Sequence, residues 1–490
     1  MSEVKDTQDY PKVEIAVKNF GPIAEANIDL RPLTVFVGPS NTGKTYFSTL
    51  IYALHDIYIG LLEFGLLSLY KSGSVIGLLN DLLNDSNISE VEIQDLLKKL
   101  EMKQIKFKMS DFPMVMQEKL ITIFKDTDPF EEEILNEIKN CFDLNSILDI
   151  IRLSQEQRCE MDIFLRVSEG NQEKWKFKIM TSESEVNLKS STPIDSPFND
   201  EIVLLPEDYS VFGELHDENR VRIKSFSHPV GPSGYYLPSA RSGIMQSHRI
   251  IASSLVKRTT RVGLELFPDV PTMSGVTADF MERIILYEEK PPYPGMKQLA
   301  ESLESDVLAG QIRLTLSSSG YPDFRYVPNG SNSEIPLNQS SSMVSELSPL
   351  VLFLRSGIKP GDTLIIEEPE AHLHPGAQAD MAVILARLVR AGVRVIITTH
   401  SDWLLQEIGN LILEGLIEDK TDEPASWLLP EEVGAWHFQK DKPVKEIAFH
   451  PRRGFSPKDY QDVAEGLYNR SVNLQQKYEK QKGESEREST

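Results

Sequence analysis

Three groups of residues could carry chemistry, and they lie far apart in the chain. The first is GPSNTGKT, Gly38 to Thr45, which fits G-x-x-x-x-G-K-[ST] at every fixed position. Glycines let such a loop curl so that successive backbone N–H groups and the N-terminus of the next helix face an anion. On this pattern Gly38, Pro39, Ser40, Asn41, Thr42 and Gly43 cradle phosphates, Lys44 reaches the β- and γ-phosphates and the Thr45 hydroxyl ligates Mg2+. ATP with Mg2+ is the cofactor pair this chemistry calls for.

The second group is LIIEEPEAHLHPG, Leu364 to Gly376. A phosphate-binding loop needs an acid at the end of a neighbouring strand to hold Mg2+, and hydrolysis needs a base to orient water. Adjacent strand residues point to opposite sides, so Glu367 is read as the Mg2+ acid, acting through water, and Glu368 as the base. The third group, VIITTHSD, sets His400 after another apolar run, at the edge where open α/β sheets bind ligands; it could meet the γ-phosphate or the lytic water. Two other readings stay open. Glu367, Glu368, Glu370, His372 and His374 could hold the metal of a nuclease or hydrolase, which leaves Gly38–Thr45 without a task. Alternatively, ATP could be a structural part of a binding scaffold.

The elements around these groups must bring them together. VEIAVKNFGPI and AEANIDL alternate as a hairpin, LTVFV reads as a buried strand, and YFSTLIYALHDIYIGLLEF has helical spacing. Residues 343 to 416 run helix, strand, helix, strand, helix, the rhythm of a largely parallel sheet covered on both faces. Residues 311 to 337 read as short antiparallel strands, and YYLPSARSG as strand, turn and helix start. Between them the chain changes character, with amphipathic helical stretches followed by alternating segments. The expected division is a head lobe with the loop at 1–60, an inserted helical and β region at 61–234, the rest of the head at 235–470, and a disordered charged tail at 471–490.

A net charge of −23 over 490 residues excludes a generally basic, nucleic-acid-coating surface, so any DNA contact must use a local patch. The helix after Arg241 offers one, with His248, Arg249, Lys257, Arg258 and Arg261. A solvated helix face is the plainer account of the last three, and Arg241 is either a nucleotide contact or an internal salt bridge. Two cysteines, a polar start (MSEVKDTQDYPK) and no apolar run of membrane-spanning length point to a cytoplasmic protein without membrane insertion.

The order of KNFGPIAEANIDLRPLTVFVGPSNTGKT, LNQSSSMVSELSPL, LIIEEPEAHLHP and VIITTHSD resembles the ABC-type ATPase heads of the SMC, Rad50, RecF and OLD group. It is most similar to the bacterial stand-alone AAA15-type ATPases, several of which act in anti-phage defence. The likeness covers residues 13 to 56 and about 311 to 470, with YYLPSARSG between; no motif matches in 61–234. It implies an α/β fold, an ABC-type P-loop NTPase head of mixed and parallel sheet flanked by helices, carrying a large inserted region. It also implies ATP sandwiched between two heads, hence a homo-oligomer, with Ser341 and Ser342 in the slot of the Ser-Gly signature that completes the partner's site. Met343 stands where a second glycine is expected and Glu367 where aspartate is usual, and the glutamine that such heads use between lobes is not placed. The loop Glu370 to Pro375 falls where the family contacts the other head, which makes His372 and His374 structural or interfacial. Residues 401 to 490 are too few for an obvious further catalytic domain, so an effector such as a nuclease would be a separate polypeptide.

Overall fold

A computed structural model describes residues 12–55, 106–108, 131–154, 157–158, 160–169, 172–181, 186–191, 201–203, 233–259, 273–316, 321–417, 425–455 and 465–478. The chain enters through the hairpin β1 (Lys12–Phe20) and β2 (Ile23–Leu30), then β3 (Leu33–Val37), and a loop leads into helix α1 over 44–55. Next come α2 (Glu131–Phe142), β4 (Met161–Glu169), β5 (Gln172–Thr181), β6 (Val186–Ser191), β7 (Gly234–Leu237) and α3 (Arg241–Thr259). Helices α4 (Gly275–Ile285) and α5 (Pro294–Ser302) precede the small antiparallel sheet of β8 (Gly310–Leu316), β9 (Pro322–Pro328) and β10 (Ile335–Pro336). The last stretch runs α6 (Ser342–Ser356), β11 (Thr363–Glu367), α7 (Pro375–Arg390), β12 (Arg394–Thr399), α8 (Asp402–Leu416), β13 (Val433–His437), β14 (Lys445–Glu446) and α9 over 465–478.

The central sheet has the order β7-β11-β12-β3-β13-β14, its first five strands parallel and β14 antiparallel on the edge. The apolar runs of β3, β11 and β12 are buried at every position, as strands covered on both faces must be. Their side chains alternate between two cores. Val35, Ile366 and Ile397 pack with helices α4 to α8, whereas Phe36, Ile365 and Ile396 pack with α1 and the hairpin. The expected mixed and parallel sheet flanked by helices is what the chain builds.

The second sheet draws its strands from both sides of residue 60. Its order is β2-β1-β4-β5-β6, and β1 pairs with β4 from Lys12–Ser168 to Lys18–Asp162, so residues from 161 to 191 complete the N-terminal lobe. Val13, Ile15 and Val17 need a partner strand to bury them, and Ile163 and Leu165 supply the same apolar alternation from far along the chain. In the expected tail, α9 carries helix through Tyr478, and no glycine or proline stands between Gly466 and Tyr478; residues 479–490 lie outside the described residues. The helical stretch EVEIQDLLKKLEMKQ, residues 90–104, and the continuation of α1 past His55 lie outside the described residues. Among the described residues no helix is long and apolar enough to cross a membrane.

Candidate nucleotide site

Strand register places the predicted groups side by side. β3 ends at Val37, opposite Thr399 of β12, and Thr398 of β12 is opposite Glu367 of β11. The loop at Gly38, the turn at Glu368 and the turn at His400 therefore leave neighbouring strands at one edge of the sheet. Leu237 of β7 pairs with Ile366 and adds Pro238 and Ser239 to that edge.

The loop is built on its glycines. Gly38 has φ 142°, and a Cβ there would meet the Phe438 carbonyl oxygen at 2.1 Å; Gly43 has φ 102°, and a Cβ would meet Ile23 at 2.4 Å. Lys44 folds back beneath the curl, its Nζ donating to the carbonyls of Gly38 and Pro39, both at 2.8 Å. The Thr42 hydroxyl donates to the Pro39 carbonyl, while Ser40, Asn41 and Thr45 are exposed on the open side. Burial pulls the Lys44 ammonium down to about 8, opposed by the charges of Glu368 and Glu370.

Glu367 and Glu368 do diverge, as adjacent strand-end residues should. Glu367 is buried, with Oε1 accepting from the Tyr236 hydroxyl at 2.6 Å and Oε2 from the Ser239 N–H at 2.8 Å. Burial first, then the Glu367 charge, raises the Tyr236 phenol well above its ordinary value, so it stays a neutral donor. The same hydroxyl lies 3.1 Å from Ser48 Oγ and 3.3 Å from Thr49 Oγ1 on α1, tying the acid to the helix that follows the loop. Glu368 turns outward at φ 45°, an uncommon conformation for a residue with a Cβ. Its N–H is held by the Thr398 carbonyl at 2.9 Å, and its Oε1 lies 3.8 Å from His400 Nε2. Burial and the Lys44 charge lower the His400 imidazole, with Glu368 opposing, so a neutral ring faces the acid at pH 7.

Arg241 is corrected to the internal role. It is 1% exposed, and Nε donates to the Glu346 carbonyl, Nη1 to the carbonyls of Pro238 and Glu367, and Nη2 to the carbonyl of Glu368. Nη2 also lies 2.7 Å from Glu346 Oε1, an ion pair set off the hydrogen-bond axis, since neither carboxylate oxygen has an aligned donor among the described residues. Every guanidinium nitrogen is engaged inside the protein, and the group holds the Glu368 turn against α6. His248 is likewise internal, with ring nitrogens 2.8 Å from the Met245 carbonyl and 3.2 Å from that of Pro322. The side chains of Arg249, Lys257 and Arg258, and the whole of Arg261, lie outside the described residues.

Ser341 and Ser342 stand exposed at the start of α6, where Ser341 is the N-cap and its Oγ accepts from Val344 N–H at 3.4 Å. His374 caps α7 in the same manner, accepting from Gly376 N–H at 3.4 Å, and His372 is exposed at φ 63°. The five-residue metal cluster does not assemble. Glu367 and Glu370 point to different donors, His374 is a cap, and no group of three or more His, Cys, Asp or Glu suited to a metal occurs among the described residues. Mg2+ makes other demands, keeping several waters and taking one or two protein ligands beside phosphate. The exposed Thr45 hydroxyl and the carboxylate of Glu367, whose remaining lone pairs suit a water-mediated contact, fit that donor set.

Two residues of the site have no motif to announce them. Tyr236 is the second tyrosine of a short apolar strand, and Glu346 is a lone acid in the apolar run VSELSPLVLFL, the one signal that a buried cation would be needed there.

A profile for the AAA ATPase domain (AAA_15) matches residues 281–405, about a quarter of the chain; that span holds Ser341, Ser342, Glu367, Glu368 and His400 but not the loop at 38–45. No curated protein matches. Among solved structures, an Smc head bound to the C-winged helix domain of ScpA is 9% identical, with 90% of this chain and 99% of that chain covered and a TM-score of 0.40. An Smc head domain with an extended coiled coil, bound to the C-terminal domain of ScpA and derived from Pyrococcus furiosus, is 10% identical over 94% and 100% of the two chains at 0.38. The SMC head domain from Thermotoga maritima is 10% identical over 89% and 99% at 0.34. The architecture above stands on strand order and register alone.

Proposed function

We propose that the protein binds and hydrolyses ATP at the edge formed by Gly38–Thr45, Glu367, Glu368 and His400. The observation that carries this reading is the register that sets these three turns on neighbouring strands, with the Lys44 charge within reach of Glu368 and of the His400 ring.

Each residue then has a task. The amides of Gly38 to Thr45 and the N-terminus of α1 hold the phosphate chain, and Lys44 exchanges its two carbonyl partners for phosphate oxygens. Thr45 and, through water, Glu367 would hold Mg2+, which would supply positive charge against the charge developing on the phosphates. Glu368, outward and half-exposed, orients the attacking water. Neutral His400, beside it, hydrogen-bonds that water or the γ-phosphate. Tyr236 and Arg241 act behind them, fixing the two acids through the Glu367 carboxylate and the Glu368 carbonyl.

The same reading makes the exposed Ser341 and Ser342 the contribution of a second copy, since hydroxyls at a helix N-terminus suit a phosphate. ATP then joins two heads and hydrolysis releases them, a switch that requires tighter ATP binding in the joined state. A regulatory ATPase of an anti-phage defence or DNA-processing complex, acting on a separate effector such as a nuclease, is the biological role that the family resemblance supports. The test is sedimentation of Lys44→Ala and Glu368→Gln with ATP. The expected result is dimer with Glu368→Gln only, and monomer in both overturns the head-joining part of the reading.

A further inference from the structure

Glu370 has no part in the roles above, yet it touches the turn that carries His400. The residue is 9% exposed, and Oε1 accepts two donors, the Thr399 hydroxyl and the His400 N–H, each at 2.7 Å. Oε2 is buried with no hydrogen-bond partner among the described residues. The bonds continue on the far side of the histidine. Thr399 Oγ1 accepts from Ser401 N–H at 2.9 Å, Ser401 Oγ donates to Gln378 Oε1 at 2.5 Å, and Gln378 Nε2 donates to the Leu373 carbonyl at 3.0 Å.

The backbone of His400 is thus held from the turn after β11 and from α7, while its side chain is left a third exposed toward Glu368. Burying a carboxyl group is unfavourable, and burial does push Glu370 above its ordinary value. A plain turn would need no such group, because a serine or asparagine can cap one amide. One oxygen that takes both a hydroxyl and an amide fixes two successive residues at once, and with them the direction in which the imidazole leaves the chain.

We propose that Glu370 is a positioning residue, which orients His400 toward Glu368 by joining the turn of the acids to the turn of the histidine. This rests on the ATPase reading for its effect on turnover, but the orientation of the ring is independent of it. Two readouts separate them: steady-state ATP hydrolysis, and the ring proton and carbon NMR signals of His400, assigned by their loss in His400→Gln. In Glu370→Ala the His400 signals should move and kcat should fall about ten-fold or more, with ATP affinity within about three-fold of wild type. Glu370→Gln, whose amide oxygen can accept both donors, should restore the signals and most of kcat. Thr399→Val, which removes one donor and leaves the carboxyl group, should shift the signals the same way by less, and it decides the matter if Glu370→Ala does not fold. Unmoved His400 signals in Glu370→Ala or Thr399→Val overturn the proposal, as does a loss of ATP affinity equal to the loss of kcat. If the wild type shows no turnover, the ATPase reading fails and the ring signals still decide the role of Glu370.

Discussion

His400 Nε2 lies 3.8 Å from Glu368 Oε1, across the gap between two neighbouring strand ends. That is too long for a direct hydrogen bond and leaves the pair able to share a small molecule such as water.

Because the imidazole is lowered from its ordinary value by burial and by Lys44, the neutral ring is the working form. Turnover should hold steady from pH 8 down to 7 as far as His400 is concerned, and fall only in acid below the ordinary histidine range near 6.5. His400→Gln should lower kcat about 10- to 100-fold and leave ATP affinity nearly unchanged, measured by phosphate release against substrate concentration. An unaltered kcat would remove His400 from the site.

Lys44 gives a second prediction. Its value of about 8 belongs to a buried ammonium held by two carbonyls, and phosphate oxygens would pull it upward. ATP binding at pH 9 should therefore take up close to about one proton, and at pH 7 about a tenth of one. Calorimetry in buffers of different ionisation heat reads this number; the same uptake at both values would mean that Lys44 does not meet the phosphates.

Arg241 and Glu346 are both 1% exposed, and the guanidinium joins α6 to the carbonyls beneath both acids. Arg241→Lys keeps the charge but cannot reach these acceptors with one nitrogen, so buried carbonyls lose their donors. A destabilisation of about 1–3 kcal/mol is expected for buried acceptors left unsatisfied, read as a lowered denaturation midpoint. A midpoint within error of wild type would show that the cluster is not under this constraint.

The juxtaposition of these turns is legible in the sequence. Gly38–Thr45, the two acids and His400 each follow an apolar strand, and a parallel sheet brings strand ends to one edge whatever the distance between them in the chain. Partners of the backbone were not legible. Arg241 has the same sequence context for a phosphate as for a carbonyl, and only its enclosure by Pro238, Glu346, Glu367 and Glu368 decides. The pairing of β1 with β4 was hidden for a related reason, because alternation marks a strand but does not name its neighbour.

At the opposite end of β11, Asp362 is fully buried, with Oδ2 accepting from Lys359 N–H at 3.0 Å and Oδ1 without a hydrogen-bond partner among the described residues. Burial raises it to about 6, against the Lys359 hydrogen bond and the charges of Lys359, His55 and Arg283. A folded value above the unfolded one means that stability is lost as pH rises from about 4 through 6. Asp362→Asn should thus stabilise the protein at pH 8, by at most about 3 kcal/mol, and the gain should shrink toward pH 4. Thermal melts at the two pH values test this, and a gain independent of pH would contradict it.

The central claim is that one edge of the sheet both holds ATP and cleaves it. Its most direct test measures bound nucleotide and released phosphate on the same samples of wild type, Lys44→Ala and Glu368→Gln with Mg2+. The account predicts turnover in wild type only, with ATP retained by Glu368→Gln and absent from Lys44→Ala. Phosphate release by both variants at the wild-type rate would contradict it.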